Sequence, residues 1–126
     1  MFANRDVIFV GSAILFIGAG LYHLYGLIAS LADPSLTAFH AAFVVIDPVA
    51  AYLLLRRPDW FPYAFAVLTI QQIYSHGTEA MAAWRIMSAI DYVSLFIIVF
   101  MPSLLALLIY DAAVRKGQTA PERVRN

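Results

Sequence analysis

Ionisable side chains interrupt this chain where its surroundings are most apolar. They are His23, His40, Asp47, His76, Glu79 and Asp91, with Gln71 and Gln72 nearby. Histidine beside a carboxylate can take up and release protons. The same residue types are the ligand set for zinc, iron or copper. Spacing groups them further. His40, Val44, Asp47 and Ala51 follow at intervals of 4, 3 and 4, which places His40 and Asp47 on one helical face. Thr69, Gln72, His76, Glu79 and Ala83 form a second stripe, and Ser12, Ala19, His23, Gly26 and Ser30 a seam of small and polar residues around one histidine.

The elements that carry these residues are long and apolar. Of the 126 residues, 63% are hydrophobic and 13% charged, against about 45–50% and about 25% in ordinary soluble domains. A water-soluble domain of this size cannot hide that much apolar side chain, so the excess must face lipid. Four stretches, 6–31, 34–55, 60–84 and 88–113, each match or exceed the roughly 20 residues that cross a hydrocarbon core. The predicted fold is therefore all-α: a polytopic membrane protein, one four-transmembrane-helix bundle over 1–116, with a short polar tail at 117–126. The run after Arg5 is too long for a signal-peptide core and reads as a retained helix. No internal repeat stands out by eye.

The breaks carry helix punctuation. Asp33-Pro34 supplies an N-cap and a first-turn proline. Arg57-Pro58-Asp59 is expected to end the second helix and cap the third. Ser88 and Asp91 read as an S-x-x-D capping box for the fourth. Pro48 and Pro102 fall inside helices, where each removes a backbone hydrogen bond.

Orientation follows from the basic residues. Arg5, Arg56, Arg57, Arg115, Lys116, Arg123 and Arg125 lie on one side of a four-span layout and Arg85 on the other. The bias predicts both termini in the cytoplasm, in a bacterial inner membrane. Trp60 and Trp84 bracket the third helix as interfacial aromatics do. In this topology the intramembrane ionisable groups all fall within roughly 5–18 Å of the outer boundary.

Charged groups in a membrane interior mark function by default. The reading is a one-sided pocket that binds a lipophilic small molecule, with acid–base chemistry on it as an open option. Asp47, His76 and Glu79 form its chemical core, His23 and His40 assist, and Gln72 lines its floor. The four-span layout with intramembrane carboxylates and histidines resembles, in architecture alone, the emopamil-binding and sigma-2 receptor family, whose members bind or isomerise sterol-like molecules. That likeness transfers no residue role. Two other classes use the same residues. One is a metal or haem site drawing on His23, His40 and His76; no cofactor identity follows from the spacing. The other is an accessory subunit or small proton-coupled carrier, working as a homo-oligomer or within a larger membrane complex. Zero net charge gives no reason to expect nucleic acid, and the absence of cysteine excludes thiolate sites. Plainer roles compete at several positions: helix packing for His23 and the glycines, solvation at the interface for His40, and helix capping for Asp91.

Overall fold

In a computed structural model, which describes residues 2–31 and 33–119, the chain is all-α. The helices are α1 (Phe2–Ala29), α2 (Pro34–Arg56), α3 (Phe61–Met87) and α4 (Tyr92–Thr119). Three contain stretches long and apolar enough to cross a membrane: Arg5–Ala29, Leu36–Arg56 and Tyr92–Gln118. α3 has the length, but Gln71, Gln72, Ser75, His76, Thr78 and Glu79 dilute its apolar character. The stripe that makes α3 chemically interesting thus also makes it the least lipophilic helix.

The chain divides between Pro58 and Asp59 into two compact units, each a helical hairpin. In the first, Phe9, Ser12, Ala13 and Phe16 of α1 and Phe43, Ala50, Ala51 and Leu54 of α2 are buried. Small residues let the two backbones approach, which is how helices gain contact where lipid offers no hydrophobic drive. A Cβ built on Gly20 would lie 3.3 Å from Pro48 Cδ and 3.4 Å from Asp47 Cβ. The turn is tied by the Thr37 hydroxyl, which donates to the Ser30 carbonyl (2.5 Å). Asp33 Oδ1 accepts the Leu36 N–H at 3.4 Å, a long version of the expected cap. At the open end, Arg57 takes a left-handed conformation (φ 47°). Its guanidinium donates to Asp6 (2.7 Å) and lies 4.8 Å from the centre of the Phe9 ring.

In the second hairpin, Phe61, Pro62, Phe65, Thr69 and Ala83 of α3 are buried, as are Ser94, Met101, Leu104, Leu108, Asp111 and Ala112 of α4. The punctuation here departs from expectation twice. Trp60, not Asp59, occupies the N-cap of α3, and no side chain caps it. Asp59 stands one residue too early, and Pro62 in the first turn removes a backbone donor that a cap would bind. Asp59 instead faces Arg115 (3.7 Å), which also donates to Asp111 (3.0 Å).

Ser88 and Asp91 likewise do not form a capping box. α3 runs on to Met87, and Ser88 ends it in a left-handed conformation (φ 49°) with its N–H on the Trp84 carbonyl. α4 then starts at Tyr92 with Asp91 as its cap. Asp91 Oδ1 accepts the Ser94 N–H (3.1 Å), and the Ser94 hydroxyl donates to Asp91 Oδ2 (2.6 Å). The bond from the Ser94 hydroxyl, followed by that from its N–H, holds the Asp91 carboxyl below the ordinary value of 3.8. A lowered folded-state pKa stabilises the fold above the unfolded value. That contribution is lost as pH falls through the folded one. Asp91→Ala should cost about 1 kcal/mol by thermal unfolding at neutral pH, and the difference from wild type should shrink under strongly acidic conditions.

α4 extends past the expected end at 113 to Thr119, so 117–119 are helical. The rest of the expected tail, 120–126, lies outside the described residues.

Candidate functional site

The first hairpin builds a three-residue array. His23 on α1 and His40 on α2 meet through their Nδ1 atoms at 3.0 Å. Gly26 makes room for this: a Cβ there would lie 2.6 Å from His40 Cε1 and 2.8 Å from its nitrogens, so the imidazole rests directly on the α1 backbone. Phe43 stacks on His23 with ring centres 4.9 Å apart, and Phe39 meets it edge-on at 5.8 Å. These contacts fix the His23 ring so that its other nitrogen, Nε2, faces Asp47 Oδ2 at 3.9 Å.

That distance is too long for a hydrogen bond. Asp47 is 3% exposed, and its Oδ2 has no hydrogen-bond partner. A buried carboxylate oxygen left unsatisfied costs free energy comparable to a lost hydrogen bond or more.

The array has a defined proton logic. In a pair of neutral imidazoles joined Nδ1 to Nδ1, one nitrogen donates and the other accepts. If His40 donates, His23 carries its proton on Nε2, aimed at Asp47. If His23 donates, its Nε2 presents a lone pair there instead. Going from the first arrangement to the second passes the Nδ1 proton from His40 to His23 and releases the His23 Nε2 proton toward Asp47; both rings stay neutral only when His40 takes up a proton on its own Nε2.

The second hairpin gathers different groups around a serine. His76 Nδ1 lies 3.0 Å from Ser94 Oγ and 3.1 Å from Glu79 Oε2, and Ser94 Oγ is 3.4 Å from the same Glu79 oxygen. Asp91 completes the group through its two bonds with Ser94. Ser94 is 1% exposed, whereas the Glu79 side chain is 55% exposed. This is not a nucleophilic triad. There the acid and the hydroxyl bind opposite nitrogens of the imidazole, and here Glu79 and Ser94 share Nδ1. Gln72 is half-buried on the His76 stripe of α3, and the neighbouring Gln71 has a buried side-chain oxygen without a partner.

The expected chemical core of Asp47, His76 and Glu79 therefore draws on two hairpins, with Asp47, His23 and His40 together in one and His76 and Glu79 in the other. Sequence reasoning passed over Ser94, a lone serine in an apolar run. Its only local signal is its position three residues after Asp91. It also passed over Asp111, buried and bound by Arg115 one turn on. Among the described residues, no group of three or more His, Cys, Asp or Glu is arranged to hold a metal ion. In the first array the reason is geometric: His23 turns different nitrogens toward His40 and Asp47, whereas one ion needs its ligand atoms on a common centre.

Compared with protein-family models, curated proteins and solved structures, the chain shows no match.

Proposed function

We propose that this is a multi-pass membrane protein whose α1–α2 hairpin binds a lipophilic small molecule carrying a hydroxyl or amine head group. In this reading all four helices cross the bilayer, with both termini cytoplasmic. α3 enters with part of its polar stripe answered by protein, since His76 Nδ1 lies within reach of Ser94 and Glu79.

The observation that supports the ligand reading is the buried, unpartnered Oδ2 of Asp47, 3.9 Å from His23 Nε2. One oxygen or nitrogen at about 2.8 Å from each atom can bridge them. It must donate to Asp47, and it can accept from or donate to His23. A hydroxyl or an amine does both; a ketone or an ether, which has no proton, does not. The His23–His40 pair can then receive or return the head-group proton, which is the acid–base chemistry available here.

Asp47→Asn keeps the shape of the side chain but offers one carbonyl acceptor in place of a carboxylate. Mass spectrometry of organic molecules co-purifying in detergent should show an alcohol or amine at near-stoichiometric level on the wild type, reduced at least tenfold on Asp47→Asn at equal expression. An Asn variant that retains the molecule in full sinks the assignment.

A further inference from the structure

The two hairpins are alike in a way their overall sequences hide. Adding 53 to a position in α1 gives a counterpart in α3. Ala13-x-Leu15-x-Ile17-x5-His23-x5-Ala29 recurs as Ala66-x-Leu68-x-Ile70-x5-His76-x5-Ala82. Adding 54 to a position in α2 gives a counterpart in α4, where Val45-x2-Pro48-x4-Leu53-Leu54 recurs as Val99-x2-Pro102-x4-Leu107-Leu108.

Apolar helices share letters by chance, but six buried pairs fall in the same register, while buried Phe61 pairs with the half-exposed Ile8. Phe9, Ser12 and Phe16 correspond to Pro62, Phe65 and Thr69, and Asp47, Ala50 and Leu54 to Met101, Leu104 and Leu108; all twelve are buried. The central contact also recurs. His23 Nδ1 meets His40 at 3.0 Å, and His76 Nδ1 meets the counterpart of His40, Ser94, at 3.0 Å.

The substitutions compensate. In the first hairpin a large His40 sits against Gly26, which has no side chain. In the second, the counterpart of His40 is the small Ser94, and the counterpart of Gly26 is Glu79, whose carboxylate reaches it. The pair exchanges bulk while the two positions stay in contact, as packed neighbours must when interiors are dense. The carboxylate moves too: Asp47 becomes Met101, while Glu79 and Asp91 arrive from α3 and the turn.

We infer that the chain is a tandem repeat of one helical hairpin, and that the His76–Ser94–Glu79–Asp91 centre is a second binding site for the same class of hydroxyl- or amine-bearing amphiphile. The inference rests on reading the His23–His40–Asp47 array as a ligand site. The first centre offers His23 Nε2 and Asp47 Oδ2 to a donating head group, and the second offers the half-exposed Glu79 carboxylate beside the His76–Ser94 contact. In the second, the exposed Glu79 is the edge at which that group enters.

Native mass spectrometry of the full chain in detergent tests this, with hexadecanol and hexadecylamine as separate probes. The wild type should carry up to two molecules of the better probe. Asp47→Asn should carry one, Glu79→Gln combined with Ser94→Ala should carry one, and the three changes together none. Glu79→Gln alone, an isosteric change at a half-exposed position, should weaken the second adduct at least threefold. A wild type limited to one adduct, lost in Asp47→Asn and untouched by the Glu79 and Ser94 changes, overturns the second site and leaves the first standing. One adduct that Asp47→Asn does not affect but the Glu79 and Ser94 changes remove overturns the first reading alone. No adduct of either probe, or adducts indifferent to every substitution, overturns both.

Discussion

Gly26→Ala is expected to lower the melting temperature in detergent and cut hexadecanol retention at the first hairpin by tenfold or more. The single added carbon would sit 2.6 Å from His40 Cε1 and 2.8 Å from both ring nitrogens. No heavy-atom pair tolerates that approach, so the imidazole must move, and in moving it loses the 3.0 Å contact with His23. Overpacking of this kind costs about 1–3 kcal/mol, against the roughly 1 kcal/mol that alanine gains over glycine in a helix. The net stability change is therefore modest, while the geometric loss at the array is complete. Gly18→Ala is the control: its Cβ would meet nothing within 4 Å, so the helix preference acts alone and stability should rise slightly with retention unchanged. Adding His40→Ser to Gly26→Ala should restore the melting temperature, because serine at this position leaves the space that the second hairpin gives to Glu79. If Gly26→Ala retains hexadecanol as the wild type does, His40 is not held by this contact.

Arg115→Met should be the most destabilising change at the open end of the second hairpin. Asp111 is 3% exposed, and Arg115 Nε donates to its Oδ2 at 3.0 Å while Nη1 lies 3.7 Å from Asp59. Removing one partner of a buried pair typically costs 3–5 kcal/mol, because the remaining charge is left uncompensated. The Arg115 side chain is itself 39% exposed, so solvent screens part of the loss and about 1–3 kcal/mol is expected. Methionine keeps the apolar stem, which isolates the charge effect from packing. The double variant Arg115→Met, Asp111→Leu should recover most of the stability, since replacing both partners by apolar groups removes the buried charge along with the arginine that faced it. Thermal unfolding of the four proteins of this cycle reads the coupling directly. The ion pair at the open end of the first hairpin, Arg57 with Asp6, joins side chains that are 23% and 57% exposed and should be worth no more than about 1 kcal/mol.

The number, type and order of the helices were legible in the chain, because a segment that must satisfy its backbone away from water has few alternatives to a helix. Length and apolarity marked them, and Asp33-Pro34 marked the start of α2 to the residue. The stripe holding His40 and Asp47, and the one holding His76 and Glu79, were likewise readable from intervals of three and four. Helix ends were less so. Ser88 and Asp91 carry the letters of a capping box, but whether a serine opens one helix or closes the one before depends on how far α3 continues.

What folding alone settled was which partner each of these groups meets. His40 approaches His23 because Gly26 lacks a side chain, and nothing in local spacing says that glycine faces histidine. Ser94 entered the second centre because α3 and α4 pack in the register that brings it to His76. The likeness of the two hairpins was also hidden until then, because paired positions such as His40–Gly26 and Ser94–Glu79 keep their contact while changing both letters. Periodicity along one helix records the direction in which a side chain points. The identity of its neighbour depends on the rotation and offset of a second helix, which are set by the sum of many small packing contacts rather than by any one residue.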